Sequence, residues 1–141
     1  MKELTNIEDY SVHFEIGSGG QSKVYFATHI LTNTECALKV ANSENYLATF
    51  NKEISYMETV KSDSLVKNFS GLKKGIFDKR SRFFYAMPLF KEGTLYDYVK
   101  VMKGNAFSEG ISQAFASQIL SSLEQVHNSG YSHNDLKLEN L

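Results

Sequence analysis

The string His133-Asn-Asp-Leu-Lys-Leu-Glu-Asn140 sets a carboxylate (Asp135), an ammonium (Lys137) and a carboxamide (Asn140) within six residues. Asp135 can orient a hydroxyl or accept its proton. Lys137 can neutralise a phosphoryl group in transfer, and the Asn140 oxygen can ligate a hard cation such as magnesium. A generic charged turn accounts for the residue types but not for so particular a spacing. A second candidate is Gly17-Ser18-Gly19-Gly20-Gln-Ser22-Lys-Val24. Glycines let a backbone approach a phosphate and aim N–H groups at it. Lys23–Thr28 is β-branched and aromatic, so the loop joins two strands rather than opening a helix, and it contains no Gly-Lys-Ser/Thr. That excludes a dinucleotide-binding turn and the P-loop of nucleotide hydrolases. A plain hairpin turn rich in glycine stays open as the alternative.

Lys39 sits inside the apolar run Cys36-Ala-Leu-Lys-Val-Ala41, on the same strand face as Ala37. Glu53 falls three residues after Phe50 and four before Met57, beside an apolar helical stripe. A carboxylate there is costly unpaired, and the strand lysine is its natural partner. Each residue also has a plainer reading: an edge lysine reaching water, and a glutamate that flanks the stripe and reaches solvent.

These residues need elements to position them. Tyr10, Val12, Phe14 and Ile16 alternate with polar residues, which predicts a strand. Lys23–Thr28 and Cys36–Val40 predict two more, joined by turns at 17–20 and 31–34, and short turns argue for an antiparallel meander. Leu47, Phe50, Ile54, Met57 and Val60 recur at steps of three and four, predicting a helix over 46–60. A gap at 61–64 follows. Gly71–Phe77 and Phe83–Met87 read as two further strands around a basic turn, 78–82. With Lys73 and Lys74 that turn makes a patch for phosphate or targeting, or simply a solvated hairpin tip. After Pro88–Gly93, a connector, come a short helix over 95–103 and a longer one capped by Ser108 and closed by Gly130. Its stripe is Ile111, Phe115, Ile119, Leu123 and Val126.

The 141 residues carry 15 Lys and Arg against 16 Asp and Glu, a net charge of −1, which argues against a nucleic-acid binder. With 42% hydrophobic residues, 10 Phe and 8 Tyr, the chain can build a core. One cysteine, Cys36, excludes an internal disulfide and fits a reducing compartment. Residues 1–11 hold charges but no apolar run, so no signal peptide is expected, and no stretch approaches a membrane span. A cytoplasmic location, with the nucleus open, is the expectation.

In this order the parts resemble the protein kinase family over residues 10–141. Ile16–Val24 resembles its glycine-rich loop, Ala37-Leu38-Lys39 the end of its Val-Ala-Ile-Lys strand, and Glu53 the glutamate of its αC helix. Phe84–Leu95 looks like the fifth strand and hinge, and His133–Asn140 like the catalytic loop. The resemblance implies an α+β fold, with an antiparallel five-stranded sheet and helix αC in an N-terminal lobe. It divides the chain into an N-terminal extension (1–9), the N-lobe (10–87), a hinge (88–93) and the start of a C-lobe (94–141). It implies ATP and magnesium as cofactors and a protein substrate, with Lys39 on the α- and β-phosphates and paired with Glu53. Asp135 would orient the substrate hydroxyl, Lys137 steady the γ-phosphate and Asn140 ligate magnesium. Gly17, Ser18, Gly19 and Gly20 would cover the phosphates. Ile16, Val24 and Ala37 would sandwich adenine, with Met87 at the gatekeeper place and the Pro88 carbonyl and Phe90 amide on the adenine edge. Lysine two residues after the aspartate resembles the Ser/Thr kinases more than the tyrosine kinases.

The sequence departs from the family at four places. Ser22 stands for the third glycine. Pro88 replaces the usual hinge acid but keeps its carbonyl. Asn134 replaces the arginine that usually meets a phosphorylated activation loop. The fourth departure is that nothing follows Leu141, so this sequence holds no Asp-Phe-Gly, no activation loop and no Ala-Pro-Glu. The 141 residues alone are therefore expected to be inactive. The alternatives are a non-catalytic nucleotide-binding or pseudokinase-like scaffold, and an interaction module that docks through Ile111–Val126.

Overall fold

The computed structural model describes residues 5–62, 64–102, 104 and 106–141. They fall into two units. One is the chain up to Glu58 with Val66–Leu89, and the other is Thr59–Leu65 with Phe90–Leu141.

The first unit is an antiparallel sheet of β1 (Thr5–Ile7), β2 (Tyr10–Ser18), β3 (Ser22–His29), β4 (Thr34–Ala41), β5 (Lys73–Phe77) and β6 (Arg80–Met87). The strand order is β1-β2-β3-β4-β6-β5. The five strands expected from the sequence are all present. The sixth, β1, lies in the stretch expected to be an extension outside the sheet, and it pairs with Tyr10–Val12. Three residues are too few to display an alternation. The turn is made by Glu8 at φ 47°, and Ile7 beyond it is 1% exposed.

The basic turn is tighter than expected. Asp78 and Lys79 both take left-handed φ, 49° and 60°, and Phe77 pairs with Arg80. A two-residue turn of this hand matches the twist of its strands. Arg80, Ser81 and Arg82 therefore belong to β6. That strand ends at Met87, where Pro88 has no N–H to continue the ladder.

Strand alternation splits the core in two. Cys36, Leu38 and Val40 point to one face, where they pack with Ile7, Tyr10, Val12, Ala27, Phe84 and Ala86. Gly75 lets Phe84 and Ile7 close in there, since a Cβ on it would lie 3.2 Å from Phe84 Cε1 and 3.3 Å from Ile7 Cγ2. The other face carries Ala37, Lys39 and Ala41 and is covered by α1 (Leu47–Thr59). Phe50 and Ile54 of α1 pack on Ala41 and Tyr85. Val60, the last residue of the expected stripe, is 2% exposed but lies past the end of the helix. Of the gap expected at 61–64, Asp63 is outside the described residues.

The second unit holds α2 (Leu95–Val101) and α3 (Glu109–Asn128). A reciprocal cap starts α2: Asp97 N–H donates to Thr94 Oγ1 at 3.2 Å, and Thr94 N–H to Asp97 Oδ2 at 3.0 Å. The helix ends at Val101 because Met102 is extended; Lys103, its expected last residue, is outside the described residues. Ser108 caps α3, and Gly130 closes it at φ 79°, its N–H donating to His127 O at 2.9 Å. Val126 is 1% exposed, whereas Ile111 at the other end of the stripe is 43% exposed. Leu95 N–H donates to Leu141 O at 2.8 Å, tying the tail to the start of α2. Among the described residues, no helix is long and apolar enough to cross a membrane.

Candidate active site

In the first unit, strand pairing places Lys39 of β4 between Val24 of β3 and Tyr85 of β6. Paired residues of an antiparallel ladder share a face. That face therefore presents Val24, Ala37, Lys39, Tyr85 and Met87, the last opposite Ala37. Helix α1 brings Glu53 to it. Lys39 Nζ donates to both Glu53 carboxylate oxygens, each at 2.8 Å. The side chains are 23% and 32% exposed, so the pair is half-buried rather than solvated. Neither residue takes its plainer solvent-reaching alternative. Lys39 Nζ also lies 5.7 Å from the Phe50 ring centre and 5.9 Å from that of Tyr85, within cation–π range.

Tyr85 was not singled out by sequence reasoning. It is 3% exposed, and its hydroxyl donates to Glu53 Oε2 at 3.0 Å. Burial, with the Glu53 carboxylate beside it, pushes its phenol well above the ordinary range, so the hydroxyl stays protonated and donates. The signal that finds it is its place two residues before Met87, on the Lys39 face, once the β4–β6 register is known.

The glycine-rich loop spans the β2–β3 turn, and Gly19 N–H closes it on Ser22 O at 2.9 Å. Asn42, just past β4, was also missed. Its Nδ2 donates to Gly19 O at 2.9 Å and Gly20 O at 3.1 Å, and its N–H to Gln21 O at 2.9 Å. Gly17, Gly19 and Gly20 have no left-handed φ, and a Cβ on any of them would meet nothing closer than 3.7 Å. Nothing in the chain itself requires glycine there, which fits a backbone kept bare for a ligand. Ile16 falls in the register shift between Glu15 and Gly17 and is 46% exposed. Pro88 belongs to this unit, and Phe90, 60% exposed, to the second.

In the second unit the three candidates of the catalytic string meet. Lys137 Nζ lies 3.1 Å from Asp135 Oδ1. Asn140 Nδ2 donates to Asp135 Oδ2 at 2.9 Å and to its backbone O at 2.7 Å. Asn134 at φ 61° makes the bend before Asp135, whose N–H donates to His133 Nδ1 at 3.3 Å. Lys137 first, then Asn140, hold the Asp135 carboxyl below the usual carboxylate range. Asp135 is thus an anion at neutral pH. With Asn140 Nδ2 engaged on Asp135, its Oδ1 is left as an oxygen donor, and oxygen is what magnesium takes.

A lysine–glutamate pair on the sheet that bears a glycine-rich turn, and an Asp-x-Lys-x-x-Asn cluster, are the features on which the kinase resemblance rests. The protein-family model described as protein kinase domain matches residues 10–141. The chain belongs to the protein kinase family. It is 33% identical over 145 residues to a "Probable myosin light chain kinase" of Dictyostelium discoideum, covering 99% of this chain and 35% of that protein. It is 30% identical over 138 residues to the "Maternal embryonic leucine zipper kinase" of Danio rerio, covering 96% and 19% respectively. It is 27% identical over 140 residues to "CBL-interacting protein kinase 26" of Oryza sativa subsp. japonica, covering 96% and 27%. The kinase chain spans between 19% and 41% of the length of these and similar curated relatives.

Proposed function

We propose that this kinase transfers the γ-phosphoryl group of ATP to Ser or Thr hydroxyls of protein substrates. The observation that carries the reading is the half-buried Lys39–Glu53 pair, both contacts 2.8 Å, on the sheet that also bears the glycine-rich turn. An ammonium gripped by one carboxylate is held in place without being neutralised by several, so it still attracts phosphate oxygens. Loop N–H groups add donors to the phosphates, and Val24, Ala37 and Met87 offer an apolar surface to adenine.

Asp135 accepts a hydrogen bond from the substrate hydroxyl and takes its proton as the new P–O bond forms and the bond to the ADP oxygen breaks. Lys137 offsets charge on the transferring group. Asn140 Oδ1 would be among the ligands that hold magnesium, which would supply positive charge against the phosphates of the nucleotide. Preference for Ser and Thr rests on Lys137 and on relatives such as the "CBL-interacting serine/threonine-protein kinase 14" of Arabidopsis thaliana.

The test is radiolabel transfer from ATP to a generic basic protein by the full-length protein, with Asp135→Asn as the control. Turnover above that control supports the proposal, and equal counts overturn it. A full-length protein that binds Mg-ATP yet transfers nothing would be a nucleotide-binding scaffold instead. Residues 1–141 alone, assayed in parallel, are expected to give no turnover.

A further inference from the structure

We infer that Tyr85 is a positioning residue for phosphoryl transfer, acting through Glu53 on Lys39; the inference rests on the role proposed above for that pair. The geometry is a three-membered chain across three elements. Tyr85 of β6 sits opposite Lys39 of β4 in the ladder, and both meet the Glu53 carboxylate that α1 brings in. Lys39 bonds both carboxylate oxygens, so it alone leaves the carboxylate free to swing about the Lys39 axis and α1 free to slide with it. The Tyr85 hydroxyl, 3.0 Å from Oε2, gives a third point of attachment from a different strand. That point is rigid. The ring is 3% exposed, packs edge-on against Phe50 at 5.6 Å, and has only two side-chain torsions to fix.

The chemistry of the donor matters as well. A second cation at this place would compete with Lys39 for the carboxylate, and a second carboxylate would repel it. A phenol donates one neutral hydrogen bond, which secures Glu53 while leaving the positive charge to Lys39. Catalysis tolerates misplacement poorly: about 1 Å at a charged group can cost on the order of a hundredfold.

The experiment is a double-mutant cycle in the full-length protein, with kcat and KM for ATP measured on a fixed peptide substrate. Tyr85→Phe keeps the ring and removes the hydroxyl, Tyr85→Leu removes both, and Glu53→Gln is the second axis. Tyr85→Phe is expected to lower kcat/KM about tenfold in the native background but less than about twofold on Glu53→Gln, because the partner it acts through is already impaired. Tyr85→Leu should lose at least as much as Tyr85→Phe. Equal losses on both backgrounds, or full activity in Tyr85→Phe with loss only in Tyr85→Leu, would make Tyr85 a packing residue and overturn the inference. Glu53→Gln with native activity would instead remove the proposed role of the pair itself, and the inference with it.

Discussion

Replacing Lys39 with methionine separates the catalytic from the structural use of this side chain. Methionine keeps the length and apolar stem and drops the charge. Removing one partner of a fully buried ion pair costs about 3–5 kcal/mol, whereas a fully exposed pair is worth about 0.2–1. With exposures of 23% and 32%, the Lys39–Glu53 pair lies between. Glu53 would keep the Tyr85 hydroxyl at 3.0 Å and gain water, so a loss of about 1–2 kcal/mol is expected. Helix α1 stays docked, because Phe50 and Ile54, 0% and 8% exposed, each contribute roughly 1.5–3 kcal/mol by burial. For a unit of this size the melting temperature should fall by roughly 4–16 °C. Transfer should suffer far more. Two hydrogen bonds from an ammonium to phosphate oxygens, at about 1.5–3 kcal/mol each, correspond to a hundredfold or greater loss in kcat/KM. The measurements are a thermal melt with and without Mg-ATP and the radiolabel assay. A variant that melts as predicted yet keeps transfer within about tenfold of native would refute the role given to Lys39.

Further outcomes follow from the same geometry. Asp135→Asn should abolish transfer while changing ATP affinity by less than about tenfold, measured by calorimetry, since Asp135 is assigned to the hydroxyl and not to the nucleotide. Asn42→Ala removes two side-chain bonds to the glycine loop but keeps the backbone bond to Gln21, so KM for ATP should rise about three- to tenfold with a smaller change in kcat. Burial raises the Cys36 thiol to about 11, so about one thiol in a thousand is ionised at pH 8. Iodoacetamide should therefore label it only when the sheet unfolds, and rapid labelling of folded protein would contradict its place in the core. Hydrogen bonds from Thr94 hold the Asp97 carboxyl below its usual range. Its stabilisation is present above the ordinary carboxylate value and is lost as pH falls through the lower folded value, so the melting difference between native and Asp97→Asn should shrink as pH is taken below the ordinary carboxylate range.

Among the described residues, five of the six strands, all three α-helices and the Lys39–Glu53 meeting were legible because each has a local signature. Period two marks β2, β-branched, aromatic or apolar runs bounded by turns mark β3, β4 and β6, period 3.6 marks α1 and α3, and Glu53 on the edge of an apolar stripe demands a partner. What was not legible depends on register or on length. β1 is three residues long and is a strand only because Glu8 turns it back onto Tyr10–Val12. The basic turn looked five residues long because Arg80–Arg82 are polar, yet they alternate on an edge hairpin where one side of the strand faces water. Tyr85 and Asn42 act on residues 32 and more than 20 positions away, and nothing in their immediate neighbours marks them.

The contacts that assemble the site also hold helix α1 to its sheet. Phe50 and Ile54 supply area without direction, because burial is indifferent to small sliding of one surface over another. Lys39 and Tyr85 supply direction, because hydrogen bonds weaken steeply with misalignment. The fine alignment of α1 on the sheet and the orientation of the Lys39 ammonium are therefore one equilibrium, even where burial keeps the helix docked. A substitution at Glu53 or Tyr85 disturbs both, and a lost activity alone says nothing about which came first. Only coupling resolves it. If Glu53 transmits the constraint, the effects of Tyr85→Phe and Glu53→Gln overlap in kcat/KM while the burial of Phe50 and Ile54 keeps the helix folded onto the strands.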